Sequence, residues 1–234
     1  MSRRTVMEAV YEKFGGQATT LYADALAGAQ SIELTASLPV GAIELDVTTD
    51  AAETVYATGI SGTGPYTYTL RQPLNADHTA GGIASGFSTS PAVIDGVQTV
   101  VRGNRVLLPT QLQPVLAVVI DGSEEYRYGG KLKVQGLAQM KFVDYDVTLL
   151  LGNVGAPGND QDGAPRLLDQ FYGWLDDISA RIRADKVLVT PSFPQGAVIR
   201  WGEEFQVRNP YALTQSEVKI VASITVSCTE QVQA

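Results

Sequence analysis

The sequence predicts an α+β fold: a mixed or antiparallel sheet packed by one long amphipathic helix, with a small all-β module inserted near the front of the chain. Three observations predict it. Apolar residues alternate with polar ones in many short runs, the period of half-buried strands. One stretch alone, Arg166 to Lys186, sets Leu168, Phe171, Leu175, Ile178 and Ile182 on a single stripe at spacings of three and four. A Gly-, Ser- and Thr-rich stretch from Thr79 to Pro91 separates two groups of strands as a linker or exposed loop would. The expected units are residues 1–30, an N-terminal helix packing on the C-terminal unit; 31–97, the inserted β-rich module; and 98–234, the α+β domain.

In chain order, Val6, Ala9, Val10 and Phe14 recur at helical spacing within an expected helix from Thr5 to Leu26, interrupted at Gly15-Gly16. From Ser31 the period becomes two: Ile32, Leu34 and Ala36, then Ile43, Leu45 and Val47 after a turn at Leu38 to Gly41. Thr54 to Ile60 and Tyr66 to Leu70 read as two further strands parted by Gly62, Gly64 and Pro65. In the second unit, Val115 to Ile120 is a continuous apolar run ended by Asp121-Gly122, which suits a buried central strand. Val143 to Leu151 alternates with Asp144, Asp146 and Thr148. A loop of Gly, Asn, Asp and Pro spans Asn153 to Pro165. The final strand, Val218 to Cys228, has one apolar and one largely polar face.

The bulk composition narrows the function classes. Of 234 residues, 44% are hydrophobic and 18% charged, as in an ordinary globular chain. The net charge of −8 and the absence of clustered Lys and Arg disfavour a phosphate-gripping groove; Arg181, Arg183 and Lys186 complement a helix end instead. The single cysteine excludes an internal disulfide framework. Arg3 and Arg4 are followed by no apolar run, so no secretory signal is expected. No stretch approaches the roughly 20 apolar residues that span a bilayer. These features lead to the expectation of cytoplasmic synthesis and no membrane partner.

The sequence offers no catalytic, cofactor-binding or metal-binding set. His78, the only histidine, lies in the turn-like segment Leu74 to His78 and reads as a loop residue bonding its own turn. Cys228 shares a face with Ile224 and Val226 and reads as a core residue lacking the neighbouring base that a nucleophile needs. Asp160, Asp162, Gly163 and Asp169 match positions of a calcium-loop template. Gly158 at its first position and Asp at its twelfth spoil the match, which leaves a solvated loop. Asp176-Asp177 reads as the wet face of the long helix, and Glu203-Glu204 as a turn. Tyr56, Tyr66 and Tyr68 are spaced for one sandwich face, where cross-strand packing competes with sugar stacking. No zinc spacing, Walker loop, nucleophile elbow or dinucleotide fingerprint is present, and the expectation is a protein that is not an enzyme.

Two stretches carry resemblances. Leu38-Pro39-Val40-Gly41-Ala42 followed by Ile43 to Val47, then Tyr68 to Leu74 with Ala76, His78, Ala80 and Gly81, resembles a small β-module found in structural proteins of tailed bacteriophages. Leu116 to Val232, with a strand ending near Leu151, a glycine-rich loop, the helix Leu167 to Ile182 and closing strands to Cys228, resembles in element order the tail-terminator family of long-tailed phages. The resemblance implies a virion structural protein assembled in the host cytoplasm. It would form a homo-oligomeric ring, a hexamer, at the head-proximal end of the tail, against tail-tube and head-connector proteins. Residues 98–234 would be the ring-forming domain, and DNA would pass through the lumen without sequence-specific binding. The last strand is the expected edge for pairing across subunits. Alternatives are another virion component (a head–tail stopper, minor tail protein or capsid decoration protein), a host- or carbohydrate-binding module built on the three tyrosines, or a small hydrolase, which the scarcity of histidine disfavours.

Overall fold

The structure, a computed structural model, describes residues 3–49, 51–86, 90–103, 114–127, 140–154, 163–196, 198, 200–212 and 219–233. It overturns the α+β expectation. Strands make up 47% and helices 17% of the described residues, in two sheets with two helices, so the fold is mostly β. Strands continue where charge and glycine interrupt alternation. β9 (Val115–Arg127) runs on past Asp121-Gly122, and β11 (Arg200–Ala212) contains the Glu203-Glu204 pair that reads as a turn. Backbone pairing tolerates such interruptions as bulges, and a pattern of side chains alone does not reveal them.

The larger body is a six-stranded sheet in the order β11-β12-β10-β9-β8-β7. Its centre is β10 (Met140–Val154) paired antiparallel with β12 (Lys219–Gln233) from Met140↔Gln233 to Val154↔Lys219. β9 lies on the other side of β10. Their register shifts between Asp146 and Val147, which leaves Asp121 as the extra residue of a bulge. β8 (Thr99–Arg102) pairs parallel to β9, and the two-residue β7 (Ser90–Pro91) ends that side of the sheet. The strand expected at Val218–Cys228 is thus longer and is not an edge: β12 has β10 on one side and β11 on the other. Val218 lies outside the described residues.

Period-two alternation sorts the two faces. Leu116 and Val118 of β9, Val147, Leu149 and Leu151 of β10, and Ala222, Ile224, Val226 and Cys228 of β12 all point to one side, where they are buried. Two helices cover this side. α1 (Arg3–Lys13) contributes Val6, Ala9 and Val10, and Phe14 follows just beyond its end. α2 (Gly163–Ala184) buries Phe171, Leu175, Ile178 and Ile182, while Asp176 and Asp177 are exposed. α1 is shorter than expected because Gly15-Gly16 ends it. Gly15 has φ 107°, a conformation that glycine adopts readily, and the chain then extends into β1 (Ala18–Thr20).

β1 belongs to the second sheet, ordered β1-β6-β3-β4-β5-β2. It comprises β2 (Ser31–Leu34), β3 (Ala42–Leu45), β4 (Glu53–Ser61), β5 (Tyr66–Leu70) and β6 (Ile83–Gly86). Its core is separate and includes Ile32, Leu34, Ile43, Leu45, Val55 and Tyr68. The segment read as a linker from Thr79 therefore contains β6, whose Ala84 and Ser85 are buried. Gln17 O accepts a hydrogen bond from Gly86 N at 3.0 Å, so the chain enters and leaves this module at one point.

Two outcomes follow. Joining Gln17 to Gly86 through a short Gly/Ser bridge, with 18–85 removed, leaves a body that still melts cooperatively, because its core draws on α1, α2 and the larger sheet and not on the module. A broad, non-cooperative transition in calorimetry would show that the cores depend on each other. Leu175→Ala lowers stability by about 2–5 kcal/mol in denaturant unfolding, whereas Asp176→Ala leaves the midpoint nearly unchanged.

Candidate functional site

The face of the large sheet turned away from the helices carries a different chemistry. β12 presents Ser223, Thr225, Ser227 and Thr229, and β10 presents Asp144, Asp146 and Thr148 beside them. Thr148 and Thr225 share a 3.0 Å hydroxyl–hydroxyl bond, and Thr229 Oγ1 donates to Asp144 Oδ1 at 2.6 Å. On β11, Gln206 and Arg208 are paired with Thr225 and Ser223 on this same face. An open groove of about 930 Å³ runs along it past Asp121, Asp146, Glu203, Glu204 and Ser227. Arg183 and Arg208 line it as well, so its carboxylates leave an excess of negative charge, which disfavours phosphate.

β11 forms the rim of this face, and among the described residues no strand pairs with its outer side. Part of that edge is blunted. Trp201 N donates to Lys186 O at 3.0 Å, and the register with β12 shifts between Trp201 and Phe205. Gly202, at φ 66°, makes this bulge and stands close against Ile182, where a side chain would collide. Glu203 and Glu204 are exposed within the bulge, the usual protection of an edge against indiscriminate pairing. From Phe205 to Arg208 the register is regular. There Val207 is 43% exposed, while Arg183 of α2 lies 5.0 Å from the Phe205 ring centre. This four-residue edge is where another strand can add.

The residues singled out in the sequence scatter. His78 is not a loop residue bonding its own turn. Its side chain is fully buried, with Nδ1 2.6 Å from Asp46 Oδ2 and Nε2 3.1 Å from Glu53 Oε2. Carboxylates only accept, so the doubly protonated ring satisfies both bonds. Burial alone would push His78 down, but its bonds to Asp46 and Glu53 outweigh burial and raise it. Burial would likewise raise Glu53, yet the Asn75 amide, His78, the Asn75 side chain and the Ala76 amide hold it below the usual carboxylate range. Asp46 reaches the ring from a left-handed backbone (φ 49°), and a side chain at Gly82 would collide with its carboxylate. With both nitrogens occupied, the ring is a structural cross-link and not a base. Nothing local in the sequence marks Asp46 and Glu53, which meet His78 across 32 and 25 positions of chain.

Cys228 is fully buried, and burial, with the charges of Asp146 and Asp144, pushes its thiol far above the ordinary range. A thiol held protonated is no nucleophile. Gly158, Asp160 and Asp162 of the calcium-loop match lie outside the described residues; Gly163 begins α2 and Asp169 is an exposed helix residue. Among the described residues, no group of His, Cys, Asp and Glu is arranged to hold a metal ion, and no helix is long and apolar enough to cross a membrane. The three tyrosines do not form one stacking face. Tyr68 is buried with its hydroxyl donating to Leu38 O at 2.6 Å, Tyr66 is half-buried, and Tyr56 alone is exposed, over a cleft of about 340 Å³ lined by Glu53, Arg71 and Asn75.

No protein-family model matches this chain, and no curated protein matches it in sequence.

The histidine clamp sets a pH window for the module. A raised His78 contributes stability that is complete below its unfolded value of 6.5 and is lost as pH rises through the folded value. A lowered Glu53 contributes stability that is present above 4.5 and is lost as pH falls through its folded value. The melting temperature of the module is therefore highest between these limits, and His78→Gln removes the decline on the alkaline side. An unchanged alkaline limb in that variant would assign the decline to another group.

Proposed function

We propose that this chain is a self-assembling structural protein of a tailed-phage virion, closing into a ring at the head-proximal end of the tail as a terminator that joins tail to head. The β11 edge carries this reading. A ring subunit binds its neighbour head to tail, which needs one open surface per side. Phe205–Arg208 offers unpaired backbone and an exposed Val207 between blunted or covered stretches. The acidic, hydroxyl-bearing face beside it suits a lumen, because it repels phosphate and lets DNA pass without binding a sequence. The partners on this reading are copies of the chain, then tail-tube and head-connector proteins. A head–tail stopper, minor tail protein or capsid decoration protein would use similar surfaces, and copy number and position in the particle separate these readings.

The test is assembly of the purified chain, followed by light scattering and electron microscopy. The wild type is expected as closed rings. Val207→Pro, which removes an amide donor that ladder alternation turns to the open edge, and Val207→Lys, which places a charge on the exposed contact, are expected as folded monomers. A wild type that stays monomeric at high concentration and in its particle refutes the ring. Rings formed by both variants would move the contact away from β11.

A further inference from the structure

The junction between module and body is held by a buried ion triplet, independent of the β11 edge. Glu8 of α1 is fully buried, and its Oε2 lies 2.8 Å from Arg102 Nη1 at the end of β8. Arg102 Nη2 lies 3.0 Å from Glu44 Oε2 on β3 of the module. The Tyr11 ring sits 5.4 Å from the same guanidinium, and its hydroxyl donates to Gly86 O at 3.1 Å. A side chain at Gly16 would collide with that ring. Helix α1 thus touches both bodies, and one cation serves a carboxylate from each.

Two carboxylates facing one guanidinium leave an excess negative charge, and the Glu8 member of the pair is fully buried. We propose that the Glu8–Arg102–Glu44 triplet is a proton-operated clasp between module and body. With Glu8 protonated, Arg102 belongs to Glu44 and the module is held; with Glu8 ionised, the cation is divided and the module loosens.

The surrounding groups fix the direction. Burial pushes Glu8 up to about 7; Arg102 and the Ser85 hydroxyl of β6 oppose the rise, and Glu12 on α1 and Glu44 on β3 add to it. Glu12 is engaged by Ser192 and Thr190, and Arg4, the other cation of α1's first turn, is turned to Thr49 O. Since docking of the module brings the charge of Glu44 against Glu8 and raises its proton affinity, loss of that proton disfavours docking by the same free energy. A raised carboxylate contributes stability that is complete below its unfolded value of 4.5 and is lost as pH rises through about 7. The clasp therefore opens towards alkaline pH.

Amide hydrogen exchange of the full chain from pH 6 to 8.5, corrected for the intrinsic rate, tests this at the Gly86 amide, which donates to Gln17 O at the base of the module, next to the Gly86 carbonyl that Tyr11 of α1 binds. In the wild type, protection is expected to fall about fivefold or more as pH passes 7. Glu8→Gln, which cannot ionise, is expected to keep the acid-side protection throughout. Glu44→Gln, with nothing to grip, is expected to show low protection at every pH. His78 titrates nearby but is intact in both variants, so a step that persists in Glu8→Gln overturns the proposal. A wild-type profile that is flat across the range also overturns it, and so does a Glu44→Gln profile that still steps at pH 7.

Discussion

The ladder between β10 and β12 is the constraint on which the body depends. Its pairing is continuous from Met140↔Gln233 to Val154↔Lys219, so alternation is locked in register along two long strands at once. A slip of β12 by one residue would turn Ile224 and Val226 outward and bring Thr225 and Ser227 into the core, and a slip of β10 would do the same with Val147, Leu149, Asp146 and Thr148. The ladder thereby decides both faces together. One must be covered, and α1 and α2 cover it; the other carries carboxylates and hydroxyls towards β11 and a small buried apolar cluster of Val101, Val115 and Ala117 towards β8.

That division explains why the sheet ends as it does. Pairing beyond β12 needs a strand that can bend around the end of α2, and β11 does so with two register shifts and a glycine of positive φ. The bend exposes Glu203 and Glu204, which discourage promiscuous edge pairing, and leaves a short regular stretch open. At the opposite side, β7 is two residues long and ends in Pro91. A proline cannot donate to a further strand. The two edges are unlike each other, the asymmetry that a head-to-tail contact uses.

Buried charge follows a second logic. His78 is tied between Asp46 and Glu53, and Arg102 between Glu8 and Glu44, each cation facing two carboxylates. Breaking one partner of such a set leaves an uncompensated charge away from water, which is costly. The first set lies inside the module and welds a loop to its sheet. The second lies across the junction, where the apolar cores of the two bodies do not merge. Directional polar contacts therefore specify how the module sits on α1.

Local sequence determined the elements whose period is uninterrupted. Phe171, Leu175, Ile178 and Ile182 mark the buried face of α2, Tyr66 to Leu70 is a strand in both readings, and the alternation of Val143 to Leu151 belongs to β10. It also fixed Cys228 as a core residue, since strand parity alone aligns it with Ile224 and Val226. Only the tertiary structure decided the mostly β character of the chain, the central position of β12, and the assignment of β1 to the module. It alone turned His78 from a turn residue into a buried cross-link. The physical reason is shared by all of these: strand neighbours and ion partners are chosen by contacts between residues far apart in the chain. Asp46 and His78, Glu8 and Arg102, or Trp201 and Cys228 show no local signature of the partner they meet.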